Sequence, residues 1–269
     1  MSVREITVHS LGEFVDVVTP REPDRQTGRR RDTGVYRGGG RATAPLLTSL
    51  DRLGGASPAH TKVDLEEYIL RNFIRYSRPH IDSARPHNDW ELLITAQHHG
   101  VPTRLLDWTY SPLVAAFFAT RPSRADAERD RAIWRLDWQR VHRHFKLPPL
   151  SLLLQDLDTL LGAKEGEPFT PWKLFAAKNG KPFACMIEPP SLDARIVTQA
   201  ATFTLCSTTT KPFDAFLEEQ GLADALTKFL IPAGDVPRFR DQLDLVGIDE
   251  RRLFPDLDGV ATAIQRYYG

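Results

Sequence analysis

The chain has 269 residues, 41% apolar and 26% charged, with 35 basic side chains against 35 acidic ones and a formal charge of zero. Such a composition belongs to a globular protein long enough to bury well over half of its unfolded surface, in one large domain or two small ones. It excludes a nucleic-acid binder that works through a global positive field, a spanning helix of roughly 20 apolar residues, and a disulfide framework, because Cys185 and Cys206 lie far apart in apolar stretches.

Neutrality is a cancellation. Residues 71–150 hold 13 basic and 8 acidic residues, whereas 211–258 hold 6 and 11, so an anionic ligand is expected to prefer the middle of the chain. Only 8 of the 35 basic residues are Lys, leaving 27 Arg, the side chain suited to bidentate capture of phosphate, although genome composition accounts for most of such an excess. The N-terminus MSVREITVHSLGEFVDVV lacks a charged-then-apolar secretory pattern, which predicts a cytoplasmic protein with no membrane partner.

Residues 1–33 read as an N-terminal helix followed by a polar, Arg-rich loop from Pro20 to Thr33, and 34–269 as one domain with a helical C-terminal tail. Gly34-Val-Tyr-Arg-Gly-Gly-Gly40 places a short strand before three glycines, where backbone must bend sharply or approach something closely. Asp64 is expected to cap a helix over 65–77, in which Leu65, Ile69, Leu70, Phe73 and Ile74 recur at helical spacing. Asn88 is expected to cap the next helix, which Gly100 closes. TRLLDW then reads as a buried strand and Ser111-Pro112 as the cap and first position of an apolar helix, so Asp107, Trp108 and Thr109 are expected in a strand-to-helix turn, and Phe117 and Phe118 in the core. Further strands are expected at 132–136, 183–188, 195–205 and 228–231, and helices at 152–161, 213–219, 236–246 and 257–267. Strands and helices mix without a regular βαβ beat, which predicts an α+β fold. G-x-G-x-x-G, Walker and G-x-S-x-G motifs are all missing.

Three segments carry a family resemblance: Tyr36-Arg37-Gly38; Trp90-Glu91 with AQHHGVPTRLLDWTYSPLVAAFFA from Ala96 to Ala119; and Arg195-Ile-Val-Thr-Gln199 with Phe203, followed by FLIPA and GIDERRLFPDLDGVA. Together they resemble the FRG domain family, named for an aromatic-Arg-Gly motif. That resemblance implies a more distant similarity to the ADP-ribosyltransferase fold, a single-domain split β-sandwich with surrounding helices that grips NAD in a cleft. On this likeness Arg37 holds the nucleotide, with Tyr36 and Gly38 as its setting. Thr109 lines the nicotinamide pocket with Trp108 stacking, and Gln199 occupies the position of the transferase Glu. Cleaving the nicotinamide–ribose bond builds an oxocarbenium-like centre beside a diphosphate and needs cations on the phosphates and negative charge near the ribose. Arg37 and its glycines meet the first need, with Arg104 and Arg195 as spare cations; Gln199 is neutral, so Asp107 would supply the second.

Each residue also has a structural reading: a salt bridge pinning the strand for Arg37, a partner for Arg104 or a turn acceptor for Asp107, a core aromatic for Trp108, and backbone satisfaction for Gln199. His98-His99 with His80, His87, His142 and His144 suggests a metal, but adjacent helical histidines point about 100° apart and no Cys or carboxylate sits at ligand spacing, so no metal is expected. His98, at a helix C-terminus, suits an acid–base or phosphate-contacting role. Two functions follow from different classes. One is binding of NAD or a related nucleotide with ADP-ribosyltransferase or NAD glycohydrolase activity toward a protein or nucleic-acid acceptor, as in a toxin or phage-defence effector. The other is a non-catalytic nucleotide-sensing or protein-interaction module that lacks the acid.

Overall fold

The computed structural model describes residues 2–23, 28–30, 32–55, 57, 60–77, 89–122, 128–154, 156–157, 181–191 and 194–268. Their elements are β1 (Arg4–Thr7), α1 (Leu11–Val18), β2 (Val35–Gly39), α2 (Ser49–Arg52), α3 (Lys62–Ser77), α4 (Asp89–His98), β3 (Leu105–Thr109), α5 (Pro112–Thr120), β4 (Arg131–Leu136) and α6 (Trp138–His144). They continue with β5 (Ala184–Ile187), α7 (Ala194–Thr198), β6 (Ala201–Cys206), α8 (Phe213–Glu219), β7 (Leu226–Ile231), α9 (Val236–Leu245), α10 (Glu250–Leu253) and α11 (Leu257–Tyr268). The fold is α+β: one seven-stranded mixed sheet ordered β1-β7-β4-β2-β3-β6-β5, with helices on its faces.

Only β1 and β7 run parallel; all other neighbours are antiparallel. The pairing is uneven. β4 and β7 share six Cα pairs, and β2–β4 and β3–β6 share five each, but β2 and β3 share only Tyr36↔Thr109. The sheet is therefore two well-laddered halves hinged on a single pair, and beyond that pair the two central strands part.

Three clusters of buried side chains hold the layers. Val35, Leu106, Trp108, Trp134 and Leu136 pack on one face with Phe213 and Phe216 of α8. Tyr36, Ile133, Phe229 and Ile231 pack on the other with Phe14 of α1, Phe117 of α5 and Phe239 of α9. Leu105, Cys185, Phe203 and Leu205 pack with Leu70 of α3 and Trp90 and Leu93 of α4.

Local chemistry explains the expected elements. Ser111 accepts from the Val114 N–H at 3.3 Å, and Pro112 follows it, so α5 starts where a hydroxyl cap and a preset φ coincide. Gly100, at φ +79°, closes α4 while Val101 N–H donates to Ala96 O. Asp64 does not cap α3: the Thr61 N–H donates to its carboxylate at 2.7 Å and its own N–H donates back to Thr61 Oγ1, a reciprocal box that makes Thr61 the cap and starts the helix at Lys62.

Other expectations change. Asp107, Trp108 and Thr109 lie within β3, each paired to β6, not in a turn. The single strand expected over 195–205 is α7 plus β6, separated by Ala200 at φ +45°; the β-branched run Ile196-Val197-Thr198 has strand propensity, but the turn is closed by Gln199 N–H on Arg195 O and Ala200 N–H on Val197 O. β1 and α6 were not anticipated: β1 is an exposed edge with almost no alternation, and α6 depends on an Asp137 cap. Of the helix expected over 152–161, residues 154, 156 and 157 are helical, with Leu157 N–H on Leu153 O, while Leu152 instead forms a bridge to Ile187; residues 155 and 158–161 lie outside the described residues, as do Asn88, His80 and His87. Among the described residues, no helix is long and apolar enough to cross a membrane.

Candidate functional site

The gap opened by the parting of β2 and β3 is a cleft of about 820 Å³, bordered by those strands, by α7 and by the ends of α2, α4 and α5. Arg37 points into it. Its Nη1 donates to Asp107 O at 2.6 Å, taking a carbonyl on β3 that ladder pairing leaves vacant, and lies 3.5 Å from Asp107 Oδ2. Gln97 Nε2 donates to Asp107 Oδ1 at 2.9 Å, and Thr103 Oγ1 donates to Gln97 Oε1 at 2.5 Å, which fixes the amide's orientation. Thr103 N–H in turn donates to Ser49 Oγ at 3.0 Å. The motif from Gln97 to Asp107 is thus a hydrogen-bonded run that aims one half-exposed carboxylate, 55% accessible, at the cleft. Burial pulls the Arg37 guanidinium below its ordinary pKa; Asp107 opposes that shift and the nearby Arg52 adds to it.

The cleft is strongly cationic. Among the described residues, Arg37, Arg52, Arg121 and Arg195 border it against a single carboxylate, Asp107. Arg52 donates to Leu47 O, and the guanidiniums of Arg195 and Arg121 both lie over the Phe254 ring, at 4.7 and 5.2 Å from its centroid. Arg52 and Arg121 went unnoticed in the sequence; Arg121 stands two residues beyond the end of the Ala96–Ala119 segment, and Arg52 belongs to no motif. His98 and His99 border the cleft with their rings edge to face at 5.3 Å. His142 lies elsewhere, fully buried, with Nδ1 on Pro148 O and Nε2 accepting from the Met186 N–H. No cluster of three metal-ligating side chains occurs among the described residues.

The structure gathers Tyr36, Arg37, Gly38, His98, Asp107, Trp108, Thr109, Arg195 and Gln199 around the cleft, but engages several of their side chains elsewhere. Trp108 borders it yet is only 3% exposed: its Nε1 donates to Thr204 Oγ1 at 2.9 Å and its ring meets Phe213 edge-on, on the face of β3 opposite Asp107. It has no free face for stacking a nicotinamide. Thr109 Oγ1 donates to Gln199 O at 2.6 Å and accepts from the Ser111 N–H, so the hydroxyl joins β3 to α7 and caps the turn before α5. Gln199 sits in the turn after α7, and its Nε2 donates to Leu253 O at 2.8 Å, tying α10 to the sheet rather than facing a ribose.

Tyr36 is a core ring whose hydroxyl donates to Asp32, itself gripped by Arg135; burial, with Asp32 beside it, pushes the phenol far above its ordinary pKa. Gly38 faces α5, not a diphosphate: a Cβ there would sit 2.2 Å from Ala115 O. Arg104 is no spare cation. It is 1% exposed, away from the cleft, with Nε on Glu66 Oε2 at 2.6 Å. Phe118, expected in the core, is half-buried and borders the cleft, whereas Phe117 is fully buried.

Residues 32–128 match the family model described as the FRG domain. The chain carries an FRG domain. The matched segment of the FRG domain spans β2 through α5 and so holds Arg37, Arg52, Gln97, Asp107 and Arg121, while Arg195, Gln199 and Phe254 lie beyond it. No curated protein and no solved structure matches the chain. The FRG domain therefore supplies one wall of the cleft, and residues outside the match supply the other.

Proposed function

We propose that the cleft binds a nucleotide carrying a diphosphate, with NAD as the candidate ligand and Arg37 as the residue that holds the diphosphate. The observation that carries this reading is that, among the described residues, four arginines and one carboxylate border a single cleft of nucleotide size. Val101 and Phe118 offer half-buried apolar surface for a ring. Of the residues that carry the likeness to ADP-ribosyltransferases, Arg37 is the one whose side chain stands free for its expected role, and the geometry favours binding without turnover. Asp107 faces a guanidinium, which blunts its field at a developing oxocarbenium, and Gln199 is neutral and engaged elsewhere. A second reading, NAD glycohydrolysis or ADP-ribosyl transfer to a macromolecular acceptor, is favoured by the exposure of Asp107, the one carboxylate at the cleft among the described residues.

One experiment separates these. NAD at about 100 times its Kd should stabilise the protein by about 2.7 kcal/mol, a shift of several degrees in melting temperature. Arg37→Ala should weaken binding about 10- to 100-fold, as expected for loss of a charged hydrogen-bonding group, and cut that shift to about half or less. Chromatography of the same samples should show no free nicotinamide. Nicotinamide released by the wild type and abolished by Asp107→Asn would establish the second reading, and full protection of Arg37→Ala by NAD would remove the first.

A further inference from the structure

The cations of the cleft form two stations. Arg37 lies among Asp107 and Arg52, whereas Arg121, just past the C-terminus of α5, and Arg195, on α7, each lie against one ring, Phe254. The second pair differs from the first in its electrostatics. No carboxylate pairs with Arg121 or Arg195 among the described residues, while Arg37 has Asp107. Both guanidiniums stand within 5.2 Å of the Phe254 centroid and both border the cleft, so an anion seated beside that ring lies in the field of two cations.

The plate is itself placed deliberately. Gln199 Nε2 holds Leu253 O, so the residue next to Phe254 is fixed to the turn that follows α7, one helical turn from Arg195, and Phe254 also packs edge-on against Phe118 at 6.2 Å. Gln199 thus acts as a positioning residue for the aromatic seat of the two arginines.

We infer that Arg121 and Arg195 form a second phosphate station, and that the ligand of the cleft is a dinucleotide bearing a ribose 2′-phosphate in addition to its diphosphate. The inference rests on the nucleotide reading above. A phosphomonoester carries between one and two negative charges at neutral pH and three acceptor oxygens, so it gains more from two guanidiniums flanking one ring than a ribose hydroxyl or a carboxylate does. In doubly wound dinucleotide-binding folds an Arg near the ribose accommodates a 2′-phosphate, and the charge pairing it relies on does not depend on the fold.

Calorimetric titration of the full chain with NAD and with NADP tests it. The wild type should bind NADP at least about tenfold more tightly than NAD. In the double variant Arg121→Ala/Arg195→Ala the NADP-to-NAD ratio should fall close to one, and in Arg37→Ala both ligands should weaken while the ratio stays. Gln199→Ala should lower the ratio in part. Melting temperatures without ligand confirm that the variants fold; Arg121 is exposed and Arg195 half-exposed, so both tolerate truncation. Equal affinities in the wild type, or a ratio unchanged in the double variant, would overturn the second station and leave the diphosphate site standing. Equal affinities together with salt-steep binding of a single-stranded oligonucleotide would assign the pair to a nucleic-acid backbone instead. If neither dinucleotide binds, the nucleotide reading falls and takes this inference with it.

Discussion

Glu66→Gln is expected to lower the melting temperature by on the order of 10 °C, because breaking a buried ion pair typically costs about 3–5 kcal/mol and a chain of this size loses about 2–4 °C per kcal/mol. Both side chains are sealed: Glu66 is 0% exposed and Arg104 1%. Each carboxylate oxygen accepts from a different donor, Oε1 from the Arg104 backbone N–H at 2.8 Å and Oε2 from its Nε at 2.6 Å. A glutamine amide has the right size but only one acceptor end, so its NH2 must face an N–H whichever way it turns, and the buried guanidinium loses its counter-charge. Burial raises the Glu66 carboxyl pKa and lowers that of Arg104, and the attraction between the two opposes both shifts. The consequence reaches the cleft, since the pair ties α3 to the residue before β3, and Thr103 next to it holds Gln97. The pair variant Glu66→Leu/Arg104→Met should recover most of the lost stability, because it removes both charges at once. Calorimetric or spectroscopic melting decides: a Glu66→Gln shift under about 2 °C, or a double variant less stable than the single, would show that charge is not what the site protects.

The resemblance had offered Arg104 as a ligand-binding cation, and the reason for that error is general. A motif read along the chain shows residue types but not the face of a strand. On β3 the alternation sends Asp107 to the cleft and Trp108 to the core, a distinction that depends on locating the strand's end, and the expected turn at 107–109 erased it. Strand β2 and helix α5 were legible, because glycine runs and a Ser-Pro cap are local signals. The parting of β2 and β3 was not: nothing between Val35 and Thr109 indicates that only Tyr36 and Thr109 pair, and the vacancy so left makes the cleft. Arg52, Arg121 and Phe254 became site residues only through contacts spanning many tens of residues, which no periodicity encodes. The neutrality of Gln199 is plain in the sequence, but its work, holding Leu253, lies 54 residues away.

Gly38→Ala should be at least as damaging as the loss of Glu66 on the fold and more damaging at the cleft. A Cβ at position 38 would lie 2.2 Å from Ala115 O, 2.3 Å from Ala119 N and 2.9 Å from Phe118 C, all backbone atoms of α5 or its last turn. No rotamer relieves such contacts; α5 would have to lift from β2. Overpacking ordinarily costs about 1–3 kcal/mol, and a clash against rigid helical backbone belongs above that range, at about 3 kcal/mol or more. Lifting α5 withdraws Phe117 from the core and displaces Phe118 and Arg121, while β2 carries Arg37, so both cationic stations lose their spacing. Gly39→Ala is the matched control. Its Cβ would meet Ala132 O at 3.7 Å, an ordinary contact, so its melting temperature should stay within a few degrees of wild type. Melting curves and nucleotide titrations on the two variants give the comparison directly. Equal and small shifts would mean that the third residue of Tyr36-Arg37-Gly38 is glycine for a reason other than the approach of α5. A large loss confined to Gly38→Ala would show that the motif is a packing device, in which glycine seats the helix so that the arginine before it can stand in the cleft.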